Sequence, residues 1–418
     1  MRIAICNWSR RKVGGTETYL ANVAAYLHRG GCELAFFHET DAPSTRDEIP
    51  LPEGTPVWCV EEMGKTQALS ALRNWKPDVV YIHIIESREI DEKLLGVAPA
   101  VFDAHAFYGT CVGGTKCFKF PTANPCTRTF GWKCLVNYYP RRCGGLSPVT
   151  MVKRYANERA KNELLPRYAA VITHSDFMRT EYVKHGVPPS RAFNISAGLF
   201  DPVLEPNPAH TVQASTNGSD LACLDEVKLL FVGRMDRLKG GAVLINALAE
   251  VQDRLGRPIQ LTFAGEGPAR AQWQRRAARV MTAHSAIKID FVGWVNSSAL
   301  ASHYGRADLL VVPSLWPEPF GRIGLEAGRY GVPSAAFAVG GIPDWLTDGI
   351  NGHLAPGDPP SSEGLANAII RSVEFPVHLA ALRRGALERS RGDVSRGSWP
   401  ILFDIFERAK GEAVRRER

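Results

Sequence analysis

Nowhere in its 418 residues does this chain hold the ~20 consecutive apolar residues that a bilayer-spanning helix needs. That shortage excludes an ordinary helical membrane span. The opening stretch, Met1 to Arg10, contains no apolar core long enough for a secretory signal peptide. The expectation is a cytoplasmic protein, in which the glycosylation-type tripeptides at Asn194, Asn217 and Asn296 go unused. The nine cysteines include no C-x2-C pair, which argues against a standard zinc finger, and a reducing compartment disfavours disulfides. Acid is missing locally: from Ala104 to Asn157 there is no Asp or Glu.

That acid-free stretch carries eight bases, Lys116, Lys119, Arg128, Lys133, Arg141, Arg142, Lys153 and Arg154, so it holds more positive charge than the +7 net of the whole chain. Aromatic residues, among them Phe107, Tyr108, Trp132 and Tyr139, run through it. A basic, aromatic segment favours phosphates, anionic lipid head groups or acidic glycans. Five cysteines crowd into it: Cys111, Cys117, Cys126, Cys134 and Cys143. A structural metal held by these five and five reduced thiols packing a loop both stay open.

Apolar content of 45% and charged content of 22% are those of a globular protein, and the length calls for two domains. Short apolar runs alternate with helical patterns, which predicts parallel sheets covered on both faces. The first series of strands is Arg2 to Cys6, Glu33 to His38, Asp78 to Ile84, Ala100 to Asp103 and Tyr168 to Thr173. A second series starts at Lys228 to Gly233 and continues with Pro258 to Ala264, Ile287 to Val292, Leu309 to Pro313, Ser334 to Ala338 and Gly352 to Leu354. Between them, Pro202 to Asp225 has the Pro, Asn, Ser and Thr composition of a linker. The expected fold class is therefore α/β with two Rossmann-like domains, residues 1–200 and 227–397, a linker over 201–226 and the site in an interdomain cleft at the strands' carboxyl ends. The acid-free insertion, about 107–150, belongs to the first domain in this reading. A closing segment, 398–418, places Trp399, Leu402, Phe403 and Phe406 on one helical face suited to packing on that first domain.

Two motifs carry chemistry. Glu318-Pro-Phe320-Gly321-Arg322-Ile323-Gly-Leu-Glu326 follows a buried strand and opens a helix, so two acids eight residues apart stand beside free backbone N–H groups. Such a turn suits the hydroxyls and phosphates of a nucleotide sugar. Upstream, Gly233-Arg234-Met-Asp-Arg-Leu-Lys239-Gly240 also follows a strand, and its two cations are of the kind that stabilise a departing diphosphate. Either motif alone has a bland reading, since acids favour helix starts and turns often carry charge.

In this order and combination the motifs resemble those of glycosyltransferase family 4, whose members are retaining enzymes of the GT-B fold. The resemblance runs through about 228–358 and more weakly through 1–30, 78–110 and 169–200. It implies that Arg234 and Lys239 contact the donor phosphates, Glu318 the donor sugar hydroxyls and Glu326 the nucleotide ribose. The turn Gly321, Arg322 and Ile323, with Phe320 before it and Gly233 opposite, completes the donor site. Gly14 and Gly15 would approach the donor phosphates, with Glu17 touching the acceptor. His105 would line the cleft near the reacting carbon, so His105, Arg234, Lys239 and Glu318 are the candidate catalytic residues. The family's second Gly-Gly loop is matched by Gly340-Gly341-Ile-Pro-Asp344, with Asp344 where Glu is usual. Ile195 to Leu199 keeps only the glycine of its family pattern.

The chain has no Asp-x-Asp, the motif by which GT-A enzymes hold a divalent metal. The expectation is no catalytic metal and no cofactor beyond a nucleotide-diphosphate sugar as co-substrate. The acceptor would be a hydroxyl of a glycan, a lipid-linked sugar or a small molecule. It would be received by a basic lid over 107–150 that uses Lys116, Lys119, Arg141 and Arg142. Peripheral contact with the inner membrane face is part of this reading, and nucleic acid is not. Two rivals stay open, a GT-B sugar-nucleotide epimerase and a non-catalytic scaffold that binds polyanions or membranes.

Overall fold

The structure, a computed structural model, describes residues 1–12, 15–43, 46–196, 225–395 and 398–416. Gly14, the Ala197 to Leu199 part of the weak motif and nearly all of the expected 201–226 linker lie outside the described residues. The chain divides into two compact units. One contains Met1–Thr115, Arg128–Pro202 and Arg396–Arg418, the other Lys116–Thr127 and Val203–Ser395.

The first unit contains β1 (Arg2–Ser9), β2 (Glu33–Thr40), β3 (Val57–Cys59), β4 (Val79–Ile82) and β5 (Ala100–Asp103). A small antiparallel hairpin follows, β6 (Cys117–Phe118) with β7 (Asn124–Pro125), and then β8 (Ala170–Thr173) and β9 (Ala192–Asn194). The hairpin belongs to the second unit, and the other seven strands form one parallel sheet in the order β3-β2-β1-β4-β5-β8-β9. The strands β4, β5 and β8 are buried at every residue, as expected for a sheet covered on both faces. The closing helix, Ser398–Arg416, packs on this sheet. Its buried face is Leu402, Ile405, Phe406 and Ala409, an i, i+3, i+4, i+7 stripe, with Phe403 only partly buried. Phe406 meets the Tyr81 ring edge-on at 5.0 Å. The expected stripe through Phe403 is thus turned by part of a helical step, and the Trp399 side chain is outside the described residues.

The second unit holds β10 (Val227–Val232), β11 (Ile259–Ala264), β12 (Ile287–Gly293), β13 (Leu309–Val312), β14 (Ser334–Phe337) and β15 (Gly352–Ala355). Their order, β12-β11-β10-β13-β14-β15, is again parallel and doubly wound. In each sheet the strand order reverses once, between β1 and β4 and between β10 and β13. Open α/β sheets bind ligands outside the carboxyl ends of the strands at such a reversal. The strands β3, β6, β7 and β9 were not foreseen, because each is only two or three residues long and shows no periodicity. The acid-free segment is likewise not one piece, since residues 116–127 fold with the second unit and the rest with the first.

Candidate functional site

In the second unit three loops meet at one carboxylate. The loop after β10 carries Gly233, Arg234 and Lys239, and that after β13 carries Ser314, Trp316 and Glu318. They are locked together where Leu315 N–H donates to the Leu238 carbonyl at 2.7 Å. Gly240 makes this approach possible, with φ of +74° and no room for a side chain, as a Cβ there would lie 1.7 Å from the Pro313 oxygen. The loop after β14 closes from the other side. Gly341 N–H donates to the Glu318 carbonyl at 2.7 Å, and Gly340 has its Cα against the Glu318 backbone.

Glu318 is 5% exposed. Its Oε1 accepts from Lys239 Nζ at 2.7 Å, from Trp316 Nε1 at 2.9 Å and from the Ser314 hydroxyl. The Lys239 ammonium also stands 5.6 Å from the Trp316 ring centre. Oε2 accepts nothing from the described residues, so one oxygen fixes the side chain and the other is available to a ligand hydroxyl. Arg234 is exposed and forms no side-chain ion pair among the described residues.

The turn after Glu318 is shaped from below by Trp345, which is fully buried and donates from Nε1 to the Phe320 carbonyl at 2.7 Å. A Cβ on Gly324 would lie 2.0 Å from the Trp345 ring, and Gly321 sits at φ +89°. Packing therefore requires Gly324, and the left-handed backbone requires Gly321. The helix that follows is Ile323–Gly328, with Arg322 as its N-cap. Glu326 accepts from the Tyr304 hydroxyl at 3.3 Å, and burial together with that carboxylate pushes the Tyr304 hydroxyl's pKa well up. The β6–β7 hairpin rests on the same loops. Arg237 donates to the Lys119 carbonyl at 2.9 Å, and the Cys117 thiol lies 3.5 Å from the Leu315 carbonyl.

The first unit gathers a different set at the ends of β4, β5 and β8. Asp103, fully buried, accepts on Oδ2 from the Tyr19 hydroxyl at 3.0 Å and from the Tyr81 hydroxyl. Its Oδ1 lies 2.8 Å from His174 Nε2, an ion-pair distance although bent from a straight hydrogen bond. Burial opposes the Asp103 charge, yet the neighbouring His174 imidazole outweighs it and holds the carboxyl well below its ordinary range. His83 Nδ1 is 2.9 Å from His105 Nε2, and burial lowers the His83 pKa to about 4. His105 itself is a tenth exposed at its side chain. Glu17 is buried in the first turn of the helix Gly15–Arg29, which Gly15 opens.

His83, Asp103 and His105 place ligand atoms within 4.8 Å of one another, the one such group among the described residues. These atoms are already engaged by tyrosine hydroxyls, by His174 and by each other, which is the chemistry of a hydrogen-bond network. Among the described residues the cysteines form no comparable group. Cys111, Cys134 and Cys143 fall in the first unit and Cys117 and Cys126 in the second, and the structural metal finds no support among the described residues. A second correction concerns Lys116, expected as a lid base for the acceptor. It is 1% exposed, with φ of +46°, and cannot serve as a surface base. Lys119 is half-buried, Arg141 half-buried and Arg142 exposed.

Spacing pointed to Lys239 and Glu318, and the structure brings them into contact. Ser314, Trp316, Tyr304 and Trp345 were not singled out, because their partners are fixed only by tertiary contact. His83 and His174 carried one signal, a position at a strand's carboxyl end, and Asp103 carried the same.

Two doubly wound parallel sheets with these loops define the GT-B fold, and solved structures agree. HepE from Anabaena, crystallised with UDP, is 19% identical with a TM-score of 0.63, over 97% of this chain and 99% of that one. Sucrose-phosphate synthase from Thermosynechococcus elongatus is 22% identical with a TM-score of 0.63, over 100% and 98%. The family model described as Glycosyltransferase Family 4 matches residues 13–199, and that described as Glycosyl transferases group 1 matches 226–374. The chain belongs to glycosyltransferase family 4. Among curated relatives, D-inositol 3-phosphate glycosyltransferase 2 of Catenulispora acidiphila is 29% identical over 57% of this chain and 56% of its own length. Phosphatidyl-myo-inositol mannosyltransferase of Mycobacterium tuberculosis is 31% identical over 45% and 48%. The chain thus matches about half the length of these relatives.

Proposed function

We propose that this protein is a retaining glycosyltransferase that moves a sugar from a nucleotide-diphosphate donor to a hydroxyl of an anionic acceptor. The carrying observation is the Lys239–Glu318 pair, a partly buried cation clamped on one oxygen of a carboxylate whose other oxygen is unengaged. Lys239 and Arg234 stabilise the charge that grows on the diphosphate, Glu318 Oε2 accepts from a sugar hydroxyl, and the turn Phe320 to Ile323 offers backbone N–H groups to phosphate. The family resemblance assigns Gly15 and Gly233 to the donor phosphates and Glu326 to the ribose. In the reaction the bond from the anomeric carbon to the phosphate oxygen breaks. The acceptor oxygen bonds to that carbon on the same face, and its proton passes to the departing phosphate. The resemblance assigns His105 a place near the reacting carbon. No metal enters these steps.

The acceptor is read as phosphate-bearing, because the first unit supplies Arg141, Arg142 and further bases with no acid between Ala104 and Asn157. The named relatives act on inositol phosphate or phosphatidyl-inositol. Glu17 and Lys119 add contacts in this reading. The same segment exposes Trp132, Val136, Leu146, Val149 and Val152 beside Lys133 and Lys153, which suits a peripheral seat on an anionic, cytoplasmic lipid surface. The test is incubation with UDP-, GDP- and ADP-sugars and phosphorylated polyols or phosphoinositides, with the product's anomeric configuration read by NMR. A retained configuration is expected. Inversion, or isomerisation of the donor without an acceptor, would refute the reading. Co-sedimentation with phosphatidylglycerol but not phosphatidylcholine vesicles checks the membrane part.

A further inference from the structure

The buried cluster at the ends of β4, β5 and β8 contains three imidazoles, one carboxylate and two phenols, and its hydrogen bonds constrain where the protons sit. His174 Nδ1 lies 2.9 Å from the Ile195 carbonyl, which can only accept, so this nitrogen carries a proton. Its Nε2 lies 2.8 Å from Asp103 Oδ1, which also only accepts. Nδ1 donates to a carbonyl, and Nε2 stands at ion-pair distance from a carboxylate oxygen without straight hydrogen-bond geometry; a bare lone pair that close to the carboxylate would be repelled, so the ring is read as an imidazolium paired with Asp103. Tyr19 and Tyr81 donate to the other carboxylate oxygen, which completes its coordination.

One proton remains to be placed, on the 2.9 Å contact between His83 Nδ1 and His105 Nε2. Were it on His105 Nε2, neutral His83 would carry its own proton on Nε2, a fully buried atom with no hydrogen-bonding partner among the described residues. A buried N–H without an acceptor is rarer and costlier than a bare lone pair. The proton therefore belongs to His83 Nδ1. His105 Nε2 then accepts it, which leaves the His105 proton on Nδ1. His105 also stacks on His174 with ring centres 5.0 Å apart and on His83 at 5.2 Å, so a second positive ring beside the His174 imidazolium is disfavoured.

We propose that His83 is a positioning residue that, together with the Asp103–His174 pair, holds His105 as a neutral imidazole protonated at Nδ1. The groups facing His105 include Tyr19 from the helix Gly15–Arg29, His83 after β4, Asp103 at the end of β5 and His174 after β8. A neutral donor matters for the proposed transfer, on which this inference rests. The reacting carbon becomes cationic there, and a charged imidazolium beside it would oppose the reaction, whereas a neutral ring offers an N–H without repulsion.

The test is a long-range 15N–1H spectrum of the histidine rings of the whole protein at neutral pH, which distinguishes protonated from bare ring nitrogens without turnover. The expected result is His83 protonated on Nδ1 only, His105 on Nδ1 only and His174 on both. A proton on His105 Nε2, or a neutral His174, overturns the assignment. Two variants then probe the role. His83→Phe should lower kcat roughly tenfold, the worth of one hydrogen bond, with donor KM little changed. His83→Asn, whose amide N–H stands where Nδ1 did, should restore most of the rate and the His105 signature. Equal turnover by both variants overturns the positioning role. If His83→Phe does not fold, the wild-type spectrum and His83→Asn decide. Absence of glycosyl transfer by the wild type refutes the functional reading and leaves the ring assignments standing.

Discussion

Replacing Lys239 by Met removes the ammonium but keeps an unbranched stem over Trp316, so the variant isolates the charge. In the free protein that charge makes a 2.7 Å bond to a carboxylate whose side chain is 7% exposed, from a lysine that is 31% exposed. Hydrogen bonds to charged groups contribute ~1.5–3 kcal/mol, and partial exposure with two remaining donors on Glu318 places this one at ~1–2 kcal/mol. For a domain of this size that is a fall in Tm of roughly 2–8 °C. Ligand binding is the sharper readout. A nucleoside diphosphate at a hundred times its Kd stabilises the wild type by ~2.7 kcal/mol. Losing one charge-assisted phosphate contact of ~2 kcal/mol weakens binding about 30-fold. At the same ligand concentration the stabilisation then falls to ~0.9 kcal/mol. Thermal unfolding with and without UDP, GDP or ADP measures it, with Lys288→Met, an exposed base on β12, as the control. A Lys239→Met protein that keeps the full ligand shift would refute the donor-phosphate role.

Asp103→Asn should cost ~3–5 kcal/mol, because it leaves the buried His174 cation without its partner, and urea unfolding would show it as a lowered midpoint. Gly340→Ala should cost ~2–4 kcal/mol and raise the donor KM. Its φ is +57° and the new Cβ would lie 2.4 Å from the Glu318 oxygen, so unchanged donor kinetics would contradict the three-loop site. Burial raises the Asp91 pKa to about 6, although the Tyr168 hydroxyl donates to it at 2.9 Å. A raised carboxyl pKa gives stability below its unfolded value that is lost as pH rises to about 6. Asp91→Asn should therefore stabilise by ~1–3 kcal/mol at pH 7 and by nothing at pH 4, as thermal melts at both pH values would check. His83 has the opposite sign. Its pKa is lowered to about 4, so its contribution is complete above pH ~6.5 and is lost as pH falls from there, and His83→Asn should flatten that part of the pH–stability curve.

What the linear sequence determined is whatever depends on neighbours along the chain. Period and apolar runs located β5 without error and β1, β2, β10, β11 and β13 to within a few residues, since parallel strands buried on both faces are apolar throughout. The order of motifs singled out Lys239 and Glu318, because loops at the carboxyl ends of such strands follow the strands themselves. Tertiary structure decided the rest. Only folding shows that Gly240 abuts Pro313 and so delivers Lys239 to Glu318, or that Trp345 fills the space under Gly324. It buried Lys116, which charge patterning had placed at the surface, and divided the acid-free segment between the two units. It also made a cluster of Asp103, His83, His105 and His174, spread over more than ninety residues of chain. A sheet brings strand ends together by hydrogen bonding between strands, and no local pattern records which ends will be neighbours.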